Sequence, residues 1–193
     1  MRRLALLGAL GVCALVASGA PAASAPDTKQ MVLRLQDAPA GFERTRGRYV
    51  SNKQAAAETQ LPKDYTKLGR ITGYEAEFKK GGLIGLLQIT SSSSTYKTAR
   101  GAHDSLLGSA AGAEKATPRF RRLALGGSLG HEARLYKTTI TNNGTKIDVV
   151  SLIWRYKNIY SALLTGGISG TFDPAVVVAL GRKQQARIRA AVG

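Results

Sequence analysis

Residues 132–168 confine the fold of this chain more than any other stretch. Glu132–Thr141 and Thr145–Lys157 read as strands joined through Asn142-Asn143-Gly144, and Asn-Gly is the strongest short-range hairpin signal. A tight reversal at Lys157-Asn158 sends a third strand back over Asn158–Ile168. The middle strand is apolar on both alternating sets, Val150, Leu152, Trp154 and Tyr156 against Ile147, Val149 and Ile153. That pattern predicts a central strand covered on both faces.

The rest of the chain supplies more strands and the helices to cover them. Phe42–Val50 reads as a strand, and Arg70–Lys80 alternates Tyr74, Ala76 and Phe78 against Glu75 and Glu77. Gly81-Gly82 suits a two-residue reversal into a partner strand over Leu83–Ser92, and Arg119–Leu125 reads as a short strand. Asp27 caps a short helix carrying Met31, Val32 and Leu35, and Ser51 or Asn52 caps a second, ended by Leu61-Pro62. From Ser94 or Thr95 a longer helix sets Tyr96, Ala99, His103, Leu106 and Ala110 on one face. Asp173-Pro174 opens a C-terminal helix, to about Ala191, that buries Val177, Leu180 and Ile188. The sum is an α+β fold: an antiparallel β-sheet of about six to seven strands in consecutive hairpins, with flanking helices.

The first 25 residues have another purpose. Met1-Arg2-Arg3, an apolar run from Leu4 to Ser18 and the small residues of Ala20-Pro21-Ala22 and Ala23-Ser24-Ala25 compose a secretory signal peptide. The run falls short of the roughly 20 residues a spanning helix needs. Residues 1–25 are therefore expected to be removed, leaving 26–193 as a single secreted, extracytoplasmic domain. Leu10-Gly11-Val12-Cys13 has the outline of a lipobox, but bulky Val12 argues against a lipoprotein anchored through Cys13. Cys13 is the one cysteine, so the mature chain is expected to be cysteine-free, which excludes disulfides, a thiol nucleophile and thiolate metal sites.

Charge narrows the partners. The chain has 28 Lys and Arg against 12 Asp and Glu; without Arg2 and Arg3 the balance is +14. Such a surface attracts an anionic cell-envelope polymer, lipid headgroups or nucleic acid, besides any extracytoplasmic protein it meets. Lys115, Arg119, Arg121 and Arg122, around Phe120, form a basic cluster with few nearby acids and are the candidate anion-binding residues. Arg44, Arg46 and Arg48 recur at spacing two, so a regular strand projects all three from one face. They either pair across strands with Glu75 and Glu77 or form a row that receives an anion.

Catalytic and metal chemistry find little purchase. His103 reads as a packed neutral imidazole on its helix, and neither His103 nor His131 has a second ligand at i+3 or i+4, so no metal or other cofactor is expected. No serine lies in a G-x-S-x-G elbow, and Gly126–Gly130 lacks the Lys-Ser/Thr ending of a phosphate-binding loop. No catalytic residue is assigned.

Asp37-Ala38-Pro39-Ala40-Gly41-Phe42 resembles the opening of a broad group of secreted bacterial proteins. So do Gly69-Arg70-Ile71-Thr72-Gly73-Tyr74, the Leu125-Gly126 to Glu132-Ala133 segment and Trp154-Arg155. That group resembles the PsbP-like fold and the extracellular sensor domains of bacterial kinases. The resemblance implies an antiparallel sheet with flanking helices and a binding or accessory role, with no catalytic residues to carry over. The leading expectation is a secreted, non-catalytic binding or accessory domain contacting an anionic surface or polymer. The alternatives are a small-molecule carrier with an apolar pocket between the sheet and the C-terminal helix, and a secreted hydrolase of unfamiliar type.

Overall fold

Hairpins and one long crossover determine the sheet. In the computed structural model, which describes residues 26–58 and 64–193, seven strands form one antiparallel sheet. They are β1 (Glu43–Tyr49), β2 (Arg70–Lys79), β3 (Leu86–Tyr96), β4 (Arg121–Leu123), β5 (Glu132–Asn142), β6 (Thr145–Tyr156) and β7 (Ile159–Ile168). The spatial order is β1-β2-β3-β7-β6-β5-β4. Helix α1 (Asn52–Glu58) joins β1 to β2, and α2 (Ala99–Lys115) carries the chain from β3 across to the far edge. From there β5, β6 and β7 step back by hairpins until β7 meets β3. Helix α3 (Ala175–Val192) closes the chain. The predicted leader, with Cys13, and Leu61-Pro62 lie outside the described residues.

The two second-half turns need left-handed backbone, and their residues supply it. Asn143 has φ 48° and Gly144 φ 78°, and Lys157 reaches φ 53° at the β6–β7 reversal. Between its neighbours β6 is covered on both sides, as its double apolar pattern predicts. Val150, Leu152 and Trp154 face α3, while Ile153 packs with Leu106, Ala110 and Tyr136 beneath α2.

The middle of the α3 face is filled. A 3-10 turn at Thr28–Met31, in place of the expected helix, drives Met31, Val32 and Leu33 into a core with Phe78, Ile89, Leu163, Leu180 and Ile188. Gly181 lets α3 approach closely, since a Cβ there would stand 2.5 Å from Leu152 Cδ2. Apolar side chains and two buried glutamines occupy the middle of the interface between sheet and C-terminal helix, and toward the β4 edge Leu123, Leu125 and Leu135 leave a cleft of about 460 Å³ against Ala175, Val178 and Arg182 of α3. The opposite face is only half covered. A helix about 10 Å wide spans two strands at ~4.8 Å spacing, and α2 packs on β6 and β7. Beside it, α1 forms a small cluster of Val50, Ala55 and Tyr65 at the β1–β2 edge.

The serine run moves two predicted boundaries. The strand expected to end at Ser92 continues through Ser93 and Ser94 to Tyr96, and the helix starts at Ala99, where the Thr98 hydroxyl accepts from Gly101 N at 3.1 Å. Alternating serines serve two faces. Ser91 Oγ donates to Gln184 Oε1 at 2.8 Å, Ser93 Oγ accepts from Gln184 Nε2 at 3.0 Å, and Ser92 and Ser94 turn to the half-covered side. At the start of the same strand, Leu83 and Ile84 belong to a loop between Lys79 and Leu86.

Candidate functional site

Among the described residues, the half of this face that α2 leaves free is a recess of about 320 Å³. Its floor is Ser92 and Ser94 of β3 with Ala162 and Leu164 of β7, and its walls include Ala55 and Glu58 of α1, Tyr65, and Ser109 of α2. Short serine side chains leave the space open, where the opposite face needs the glutamines of α3 to fill it. Tyr96 and Tyr160 line the α2 side; their hydroxyls donate to Ser105 Oγ at 2.7 Å and Ser109 Oγ at 3.0 Å. Burial pushes the Tyr96 phenol up to about 12 and raises that of Tyr160, so both act as neutral donors.

Arg70 is the unusual member. It is 6% exposed, yet every hydrogen-bond partner it has among the described residues is neutral. Its Nη1 donates to Val50 O and Asn52 Oδ1, both at 2.9 Å, and its Nε donates to Ser94 Oγ at 3.1 Å. The guanidinium stands over the Tyr65 ring at 5.7 Å. Gly73 makes room for it, because a Cβ there would collide with Nη2. Burial lowers its pKa below the usual arginine value, against the upward pull of Tyr96 and Tyr65, and it remains a cation at neutral pH.

The acids at the recess are already committed. Arg48 Nη2 binds Glu58 Oε2 at 2.6 Å and Glu75 Oε1 at 3.3 Å, and these partners raise its pKa despite burial. No carboxylate among the described residues forms an ion pair with Arg70. Buried charges are ordinarily paired. Arg70 is therefore a buried cation without a direct ion-pair partner, in a recess where Glu58 and Glu75 share the one guanidinium of Arg48.

The three arginines of β1 do not share a face. A bulge between Arg44 and Arg46 breaks the spacing-two pattern, so Arg44 turns to the other side and donates to Tyr74 Oη at 2.7 Å. Arg46 and Arg48 take the cross-strand option, toward Glu77 at 3.5 Å and Glu75. Lys115, Arg119, Arg121 and Arg122 behave differently. All four are exposed at the β4 edge of the sheet, and none makes a side-chain hydrogen bond or ion pair among the described residues.

His103 is partly exposed and not packed among apolar side chains as expected. Its Nδ1 lies 2.8 Å and 2.9 Å from the two oxygens of Glu132, and the side chain is 39% exposed. Arg155 Nε binds the same carboxylate. Burial works to raise Glu132, but Arg155 and His103 outweigh it and hold it below the usual carboxylate value. No serine hydroxyl bonds to His103 among the described residues, and Lys157 N donates to His131 Nδ1 at 3.3 Å. No group of three or more His, Cys, Asp or Glu is placed to hold a metal, again among the described residues.

Sequence reasoning missed Arg70 and the recess. Arg70 is one of many basic residues, and only the meeting of β2, β3, α1 and α2 removes it from water. The one local signal was Gly73, a glycine inside an alternating strand.

No family model matches the chain, and no curated protein matches it. Among solved structures, it is similar to the extracellular domain of PknH from Mycobacterium tuberculosis, at a TM-score of 0.49 and 8% identity, covering 84% of this chain and 98% of that one.

Proposed function

We propose that this chain is an exported, non-catalytic binding domain whose recess takes a small amphiphilic anion, with the anionic end at Arg70. The observation that carries this reading is the buried guanidinium without a direct carboxylate partner, in a recess whose two acids, Glu58 and Glu75, are engaged by Arg48 and whose apolar lining is Val50, Ala55, Ala162 and Leu164. An acidic group on the ligand supplies the missing charge, and the apolar wall takes its hydrocarbon. A volume of about 320 Å³ lies at the small end of the roughly 300–1,000 Å³ of ligand sites.

Calorimetric titration with short alkyl and aryl carboxylates, each against its uncharged amide, tests the proposal. Carboxylates are expected to bind and amides to bind at least ~10-fold more weakly, with the preference lost in Arg70→Gln, because a charge-assisted hydrogen bond contributes about 1.5–3 kcal/mol. Equal binding of acid and amide, or an unchanged preference in the variant, refutes it.

A second reading has its own support. The unpaired, exposed Lys115, Arg119, Arg121 and Arg122 at the β4 edge favour contact with an anionic surface or polymer, independently of the recess.

A further inference from the structure

Leu83 and Ile84 stand apart from the rest of the surface. They are 84% and 75% exposed, whereas the next most exposed large hydrophobic residue, Tyr49, reaches 54%. They are adjacent at the tip of the β2–β3 loop, between Gly82 (φ 120°) and Gly85 (φ 82°), with exposed Lys79 and Lys80 just before them. A Cβ at Gly81 or Gly82 would touch nothing, while Gly85 ties the base of the loop to the domain, its N donating to Thr171 Oγ1 at 2.7 Å and its O accepting from Ile168 N at 3.2 Å.

Strand register gathers further cations at the same end of the sheet. One transverse row runs Phe78, Ile89, Thr165, Val150, Lys137, Arg121, a single residue from the row of Lys79. Arg119 lies beyond Arg121 toward that end, and Lys146 pairs with Thr141 beside the β5–β6 turn. Lys79, Lys80, Arg119, Arg121 and Lys146 are all exposed and in no ion pair among the described residues; Glu43 is the register partner of Lys79. Four strand spacings separate β3 from β4, so the apolar tip and the arginines stand about 20 Å apart.

We propose that this end of the sheet docks on an anionic lipid bilayer, with Leu83 and Ile84 entering the headgroup boundary and the lysines and arginines resting on it. The inference is independent of the recess and narrows the reading of the β4 edge to a lipid surface. A soluble polyanion engages the cations and leaves Leu83 and Ile84 in water. A protein partner needs roughly 800 Å² on each side, well beyond a two-residue tip. An anionic bilayer accounts for both features, since interfacial binding scales with inserted apolar area plus attraction to acidic lipids.

The test is cosedimentation of residues 26–193, which include every described core residue, with vesicles of phosphatidylglycerol and phosphatidylcholine in equal parts and of phosphatidylcholine alone. Wild type is expected to bind the anionic vesicles and to bind the neutral ones at least ~10-fold more weakly. Leu83→Ser/Ile84→Ser is expected to lose at least ~10-fold on anionic vesicles, given the transfer free energy of two aliphatic side chains. Its melting temperature should not change, because both residues are solvent-exposed. Arg119→Gln/Arg121→Gln should weaken binding and reduce its salt dependence. Wild-type affinity in the Leu83/Ile84 variant overturns the proposal; if the arginine variant alone loses binding, the cationic edge stands and the apolar tip falls. Equal binding to both vesicles, or none, also overturns it. So does a concentration-dependent dimer abolished by the Leu83/Ile84 variant, which assigns the tip to a second copy of the chain.

Discussion

A carboxylate placed against Arg70 should stabilise the domain if that charge is uncompensated. Ser94 is the position for it, because its Oγ already accepts from Arg70 Nε at 3.1 Å and its side chain lines the recess. Ser94→Asp puts an anion at this contact, and Ser94→Asn supplies the same bulk without charge, so the pair isolates electrostatics from fit. Two unit charges 4 Å apart attract by about 4 kcal/mol at an effective dielectric constant of 20. Desolvation of the new carboxylate consumes part of this, and the residue two positions away on the facing strand, Glu75, is already shared with Arg48. The expected net advantage of Asp over Asn is about 1–3 kcal/mol at neutral pH, in line with hydrogen bonds to charged groups. Urea unfolding of both variants measures it. The new carboxyl is held below its unfolded-state pKa, so the advantage is present above the ordinary aspartate value and lost as pH falls. Ser94→Asp should also abolish carboxylate binding, since the variant carries its own counter-ion. An Asn variant as stable as the Asp variant at neutral pH refutes the claim that Arg70 lacks a direct counter-ion.

Two other perturbations test the scaffold. Asp148 is 1% exposed; burial works to raise its carboxyl, but Lys137 Nζ at 2.8 Å, Thr139, Ser169 and Gly170 N hold it well below the ordinary aspartate value. Asp148→Asn should cost about 2–4 kcal/mol at neutral pH by breaking this buried pair, with the difference from wild type shrinking as acid protonates the native carboxylate; a pH-independent difference in unfolding free energy refutes the assignment. Gly181→Ala forces a Cβ onto Leu152 in a filled interface and should cost about 1–3 kcal/mol, seen as a lower melting temperature, whereas an unchanged value means that α3 is free to lift from the sheet.

Local patterning made the architecture legible. The Asn-Gly turn, the doubly apolar β6 and the Asp-Pro start of α3 each depend on residues within one or two turns of chain, and each stands where expected, Asp173 Oδ1 accepting from Ala175 N at 2.8 Å. The errors fell where two alternatives are locally equal. Four serines in a row carry no face preference until Gln184, more than ninety residues away, bonds to Ser91 and Ser93 and leaves the other two open. A bulge of one residue on β1 rotates Arg44 away from Arg46 and Arg48, and no composition signal marks it. His103 and Glu132 are 29 residues apart and meet only because α2 lies over the start of β5.

From its own residues, then, the chain determined which segments alternate, where the strands of its second half reverse and which long helices cover them, because steric and hydrophobic preferences act over a few bonds. Tertiary structure alone decided which cation loses its water without gaining a counter-ion and which face of the sheet stays open. Desolvation and charge pairing are summed over neighbours from distant parts of the chain, and those neighbours exist only once the sheet has closed.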